Sequence, residues 1–256
     1  MKVNERGEAP LLIKAISDIG LYRECNEDSC ECGYFGETDG FIVVCDGMGG
    51  ASGGKVASTL CSSTVAEAIK KGYRPKMTVK AARNLLESAI TKANYQVNEK
   101  SQSDPYLHGM GTTIVAAIII KSIAVIAHVG DSRAYVLNEQ GIKQITKDHS
   151  LVQLMIDEGK ITPDEAKTHP DRNIITRAVG VVNFVDVDFE IVDFTQGDKL
   201  LLCTDGLSGS VEENELIDII NDDINFSAEK LVERALENGS KDNITVAVVS
   251  ANSQGE

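Results

Sequence analysis

Apolar and polar positions alternate between short unbroken apolar runs and two long amphipathic stretches. Leu11–Ile16 and Phe41–Cys45 read as strands, and the second runs into Asp46-Gly47-Met48-Gly49-Gly50, a glycine-rich turn. A helical stretch follows from Gly54 to Lys71. A second helix is predicted over Val79–Glu99, where Ala82, Leu85, Leu86, Ala89, Ile90 and Ala93 recur at helical spacing. From Thr112 the pattern changes to β-rich runs, Ile114–Ile120, Ile123–Val129, Ala134–Leu137 and Ile142–Ile145, separated by gaps too short for crossover helices. Strands joined this way are antiparallel, which disfavours a doubly wound parallel sheet and favours an α+β arrangement. Thr162-Pro163-Asp164-Glu165 supplies an N-cap, an N1 proline and an N3 glutamate for a short helix. The remainder reads as a strand in Val185–Phe194, a buried strand at Lys199–Cys203, helices near Glu212–Asn221 and Ser227–Asn238, and a last strand at Ile244–Val249.

No linker, repeat or charge block interrupts this pattern, so residues 1–256 are expected to form one domain, with a polar, Gly/Pro-punctuated flap near 151–180 that holds Arg172 and Arg177. Length and composition, 256 residues with 42% hydrophobic and 25% charged, are those of an ordinary globular protein. A net charge of −14 makes a nucleic acid or an anionic membrane surface an unfavourable partner. The longest apolar run, Ile114–Ile120, falls well short of the ~20 residues that span a bilayer. Met1–Lys14 has no export-signal pattern, so a cytoplasmic location and a monomer are expected. Six cysteines are too few for a disulfide scaffold, and reduced thiols are expected. Cys25, Cys30 and Cys32 cluster, but C-x₄-C-x-C is not a zinc spacing.

The informative chemistry is acidic residues that follow or precede apolar strands at distant places in the chain. Phe41–Cys45 runs into Asp46-Gly47, His128-Val129 into Gly130-Asp131, and Lys199–Thr204 into Asp205-Gly206, while Asp242-Asn243 precedes Ile244–Val249. A single Asp-Gly is ordinarily a turn. Strand ends of one sheet converge, however, and gathered carboxylates repel unless an opposite charge sits among them. With oxygen donors and no His or Cys beside these aspartates, a hard ion such as Mg²⁺ or Mn²⁺ is favoured over Zn²⁺. Arg23, with Glu27-Asp28 shortly after it, could bring a guanidinium fork beside that cluster.

On these residues the chain resembles the metal-dependent protein serine/threonine phosphatases of the type 2C (PPM) family, in their bacterial stand-alone form. The resemblance runs from Ser17-Asp18-Ile19-Gly20 to Asp242-Asn243-Ile244-Thr245. Between them, in order, stand Arg23 with Asn26-Glu27-Asp28, Val44 to Gly50, Gly111-Thr112-Thr113, Gly130 to Ala134, Asp148-His149-Ser150, His169 to Arg177 and Thr204-Asp205-Gly206. It implies a four-layer α/β/β/α sandwich with two central antiparallel sheets. It also implies two Mn²⁺ or Mg²⁺ in a bridged pair: Asp46 bridges, the Gly47 carbonyl ligates one ion, Asp205 and Asp242 complete the other, and Glu27 and Asp28 act mostly through metal-bound water. Asp131, with Asp205, matches the place of a weaker third ion, and Arg23 matches the residue that grips the substrate phosphate. The implied reaction is hydrolysis of phosphoserine or phosphothreonine by a metal-activated hydroxide, reversing serine/threonine kinase signalling, with phosphorylated proteins, a kinase among them, as partners. Animal relatives often have a histidine directly after the Asp-Gly pair as proton donor. Met48 stands there and cannot donate; metal-bound water is the preferred donor, ahead of His149.

Two other readings stay open on the residues. Gly49–Lys55 spells G-x-x-x-x-G-K, nearly a nucleotide-binding P-loop, but Val56 lacks the hydroxyl such a loop needs for Mg²⁺. Asp46 could instead be a covalent nucleophile that forms an aspartyl-phosphate, although Met48 occupies the place where that chemistry usually has a second acid. An inactive binding module would be suggested by loss of a bridging aspartate, and none is lost.

Overall fold

Unbroken apolar runs arise where both faces of a strand are covered. The computed structural model describes residues 10–251, so most of the Met1–Lys14 stretch read for an export signal lies outside the described residues. The strands are β1 (Leu11–Asp18), β2 (Asp28–Tyr34), β3 (Gly40–Met48), β4 (Gly111–Thr112), β5 (Ile114–Ile120), β6 (Ile123–Val129), β7 (Arg133–Asn138), β8 (Gly141–Gln144), β9 (Asp188–Asp193), β10 (Lys199–Cys203) and β11 (Ile244–Ala251). The helices are α1 (Gly50–Gly72), α2 (Val79–Ser103), α3 (Leu151–Asp157), α4 (Pro163–Lys167), α5 (Asp205–Ser208), α6 (Glu213–Asp222) and α7 (Ser227–Glu237). One sheet has the order β1-β11-β10-β7-β8. The other has the order β2-β3-β5-β6-β9, with β4 added to the end of β3. Every pairing is antiparallel.

Three apolar layers follow from the two-residue period of the strands. On β3, Phe41, Val43 and Cys45 pack with α1 and α2, while Ile42 and Val44 face the other sheet. On β5 the same division separates Ile114, Ala116 and Ile118 from Val115, Ala117 and Ile119. On β10, Leu200 and Leu202 face the inter-sheet core, whereas Leu201 and Cys203 pack with Leu207, Leu216 and Leu231 of the helices on the outer face. Helix, sheet, sheet, helix is the resulting order, and it is the sandwich the resemblance implies.

Most elements match the sequence pattern within a few residues, and the capping box at Thr162 and Glu165 is formed. Helix α1 begins at Gly50 rather than Gly54, and β9 spans only Asp188–Asp193 of the run from Val185 to Phe194. The pattern gave no sign of β2, α3 or α5. Strand β2 lies at a sheet edge, with Cys32 and Tyr34 exposed. Helix α3 has no fully buried residue and rests on its N-cap, where Ser150 Oγ accepts from Gln153 N. Two helices, α3 and α4, thus occupy the segment read as a flap.

Candidate active site

The strand registers bring the acidic residues to one end of both sheets. Asp28 opens β2 directly opposite Asp46, and on the same sheet Val44 pairs with Val115 and Ile114 with Val129, so β6 ends beside them. There the chain crosses through Gly130-Asp131-Ser132 to Arg133, which pairs with Cys203 in the other sheet. Asp205 follows that cysteine by two residues. Cys203 pairs with Val246 and Asp18 with Ile244, which brings Asp242 and the loop carrying Arg23 to the same end.

Asp46 is held by its backbone. Its N–H donates to Thr113 Oγ1 at 3.0 Å, and its carbonyl accepts from Thr113 N–H and from Thr112 Oγ1, each at 2.8 Å. Gly47 and Gly54 pack backbone to backbone. A Cβ on Gly47 would lie 2.1 Å from the Gly54 carbonyl oxygen and 2.5 Å from that of Glu27, and one on Gly54 would lie 2.6 Å from Glu27 Oε1. Only glycine fits either place. The glycine-rich turn thereby folds the start of α1 over the Asp46–Gly47 backbone and the Glu27 side chain.

The Arg23 loop is tied down by Asn243, which the sequence reading quoted only as part of a motif. Its Oδ1 accepts from Glu27 N–H at 2.8 Å, and its Nδ2 donates to the carbonyls of Ile19 and Cys25. Arg23 Nη2 donates to Asp242 Oδ2 at 2.6 Å at the partly exposed rim. That bond and the neighbouring carboxylates of Asp242, Glu27 and Asp46 raise the guanidinium pKa further, so Arg23 is a permanent cation at the edge of the cluster.

Inside the rim the carboxylates resist ionisation. Burial, and then the nearby charges of Asp28, Asp205, Asp131 and Asp242, hold Asp46 well above the usual carboxylate range. Burial pushes Asp28 up to about 7 against the pull of two threonine hydroxyls, and it pushes Asp131 up to about 7 with help from Asp205. Asp205 is raised by burial and by the nearby charge of Asp242. Asp28 Oδ1 and Asp205 Oδ1 are buried with no hydrogen-bond partner. Buried oxygens without donors, among repelling carboxylates and a backbone that tolerates no side chain, form a donor set that fits hard divalent cations. All eight residues named from the sequence, Arg23, Glu27, Asp28, Asp46, Gly47, Asp131, Asp205 and Asp242, belong to this one region.

Elsewhere the sequence-based candidates separate. The cysteines are free, and burial pushes the Cys30 thiol up to about 11, opposite to what a thiolate ligand requires. The tightest triad of ligand-type atoms among the described residues is His128, His149 and Asp188, mutually within 4.8 Å. Arg177 Nη1 already contacts that triad, 2.9 Å from Asp188 Oδ1. The metal-type carboxylates are spread more widely, with Asp242 turned onto Arg23. Both nitrogens of His149 are committed: Nδ1 accepts from Gly130 N–H at 3.1 Å, and Nε2 is 3.0 Å from Asp188 Oδ2. This histidine shapes the loop that carries Asp131.

Comparison with known proteins agrees with the geometry. Residues 23–243 match the family model described as Protein phosphatase 2C. The chain is 40% identical over 240 residues to a serine/threonine phosphatase, stp, of Listeria welshimeri, covering 92% of this chain and 94% of that protein. Among solved structures, Stp1 of Staphylococcus aureus superposes with a TM-score of 0.87 at 37% identity, covering 94% of each chain. The catalytic domain of the phosphatase PstP, solved with two manganese ions, superposes with a TM-score of 0.82 at 34% identity, covering 94% of this chain and 98% of that one. Fold, motif order and sequence identity over nearly the whole length place this chain in the protein phosphatase 2C family.

Proposed function

We propose that the chain is a metal-dependent protein serine/threonine phosphatase whose chemistry is carried by the carboxylates at the shared end of the two sheets. The observation that supports this most is the pair of buried, donor-free oxygens, Asp28 Oδ1 and Asp205 Oδ1, in a cluster where burial and neighbouring carboxylates raise the pKa values of Asp28, Asp46 and Asp205. In this reading Asp46, Asp205 and Asp242 would hold a pair of divalent ions together with the Gly47 carbonyl, with Glu27 and Asp28 acting mostly through bound water. Asp131, with Asp205, would hold a weaker third ion. Bound metal supplies the positive charge that lets these carboxylates ionise, offsets a dianionic phosphate and acidifies the attacking water.

The chain's own residues do the rest. Arg23, which holds Asp242 in this structure, turns its fork to the incoming phosphate; exposure at the rim makes that exchange possible. The Asp46 backbone, clamped by Thr112 and Thr113, keeps its carboxylate from following the substrate. Phosphorylated proteins are the substrate class, and a serine/threonine kinase among them is part of the proposal, as are a single domain, a monomer and a cytoplasmic location. No helix among the described residues is long and apolar enough to cross a membrane.

The rival readings find less support. The Gly49–Lys55 segment opens α1 after a strand whose neighbours β2 and β5 are both antiparallel to it, and Lys55 is exposed, so the parallel β-α-β setting of a P-loop is absent. An Asp46 nucleophile would leave the other carboxylates without a task. Acid quenching of a single turnover of a phosphoserine peptide separates the two: an acid-precipitable phosphoaspartate at Asp46 supports the covalent route, and its absence while phosphate is released supports direct water attack.

A further inference from the structure

Asp28 lies at the start of β2, 3% exposed, and its carboxylate is held from the opposite sheet. Thr245 Oγ1 donates to Asp28 Oδ2 at 2.7 Å, and Thr204 Oγ1 donates to the same oxygen at 2.9 Å. A hydroxyl has one hydrogen to give, so its direction follows from whatever else the oxygen meets. Thr204 Oγ1 accepts from Thr245 N–H at 3.0 Å, which leaves its hydrogen for Asp28. Thr245 Oγ1 is 2.8 Å from Ser17 Oγ, and Ser17 Oγ accepts from Asn26 Nδ2 at 2.9 Å. With the Thr245 hydrogen given to Asp28, Ser17 donates to Thr245. The Asn26 amide is oriented by its other end, where Oδ1 accepts from Asp28 N–H at 3.0 Å. The bonds close a ring from Asp28 through Asn26, Ser17 and Thr245 back to Asp28, in which each donor has one destination.

The members come from β1, β2, β11 and the Arg23 loop, with Thr204 added after β10, so the ring joins the two sheets at the carboxylate cluster. Two donors on Oδ2 fix the rotation of the carboxylate and leave Oδ1 buried without a partner. A buried acceptor without a donor is destabilising, so the free Oδ1, fixed in place beside other carboxylates, calls for a partner that the protein itself does not supply. We propose that Thr245 and Thr204 are positioning residues that hold Asp28 with Oδ1 turned to the metal centre. The inference rests on the metal-centre reading above.

Calorimetric titration of Mn²⁺ into the metal-stripped chain tests it without recourse to turnover. Thr245→Val keeps the shape and removes the donor, and it is expected to weaken Mn²⁺ binding roughly tenfold, the effect of one hydrogen bond to a charged group. Thr245→Ser restores the hydroxyl and is expected to restore the affinity. Thr204→Val, with the fold checked by circular dichroism, gives an independent measurement should Thr245→Val fail to fold. In an Asp28→Ala background Thr245→Val is expected to add no further loss, since its partner is gone. Wild-type affinity in both valine variants, or an equal loss in the Asp28→Ala background, overturns the positioning role. A wild-type chain that binds no Mn²⁺ overturns the metal-centre reading itself, and measuring the wild type first keeps the two failures apart.

Discussion

At the scale of single residues the cluster is a place where charge is expensive before cations arrive, and this sets what substitutions do. Asp46→Asn removes a carboxyl whose ionised form burial and its neighbours already disfavour, so the metal-free variant is expected to melt no lower than the wild type while losing most of its turnover. Differential scanning calorimetry and phosphopeptide assays check the two halves separately. In the proposed role Arg23 would contact ground-state phosphate as well as the transition state, so Arg23→Ala is expected to raise KM more than it lowers kcat; steady-state kinetics with the reverse pattern would assign it to the chemical step. Asp131→Ala is expected to spare tight binding of two Mn²⁺ and to slow phosphopeptides much more than a small aryl phosphate, whose good leaving group needs little help. Equal losses on both substrates would sink that role. The aspartates were legible in the sequence because each stands where an apolar run meets a glycine or where a strand begins. Thr204 and Thr245 were not, although both lie in recognised motifs, because their hydroxyls find Asp28 only through the stacking of one sheet on the other.

At the scale of elements, the start of α1 is where local structure and site are hardest to separate. A methyl group on Gly54 would meet Glu27 Oε1 at 2.6 Å and the Gly47 carbonyl oxygen at 2.7 Å. Gly54→Ala is therefore expected to destabilise the chain by about 1–3 kcal/mol, as overpacking does, and to weaken Mn²⁺ binding as Glu27 and Gly47 are driven apart. A variant with unchanged melting temperature and unchanged affinity would show that the approach is looser than the geometry indicates. Strands buried on both faces, such as β5 and β10, could be read from their unbroken apolar runs. Edge strand β2 could not, because DSCECGY has neither an apolar run nor a clean alternation, and its pairing is imposed by β3. Helix α3 was invisible for a related reason: with no residue fully buried it leaves no periodic apolar stripe, and only the Ser150 cap marks it.

At the scale of the whole molecule, the cluster makes metal-free stability depend on pH in an unusual direction. Asp28 and Asp131 titrate near 7 in the fold against 3.8 when unfolded, so the folded chain holds protons that the unfolded chain releases between those values. Their stabilising contribution is complete below the lower value and is lost as pH rises through the higher one. Burial pushes His149 down, which contributes a slope of opposite sign, but from one group against several raised aspartates. The metal-free chain is expected to melt at a lower temperature at pH 7.5 than at pH 5.5, and saturating Mn²⁺ is expected to reverse that order, since binding requires the deprotonated ligands. A metal-free melting temperature that is flat or rising over this interval would contradict the electrostatic account. The measurement closest to the central claim is hydrolysis of a phosphoserine peptide by the exhaustively chelated chain, before and after Mn²⁺ is added back. The account requires turnover to vanish with the metal and return with it, and undiminished hydrolysis by the metal-free chain would contradict it.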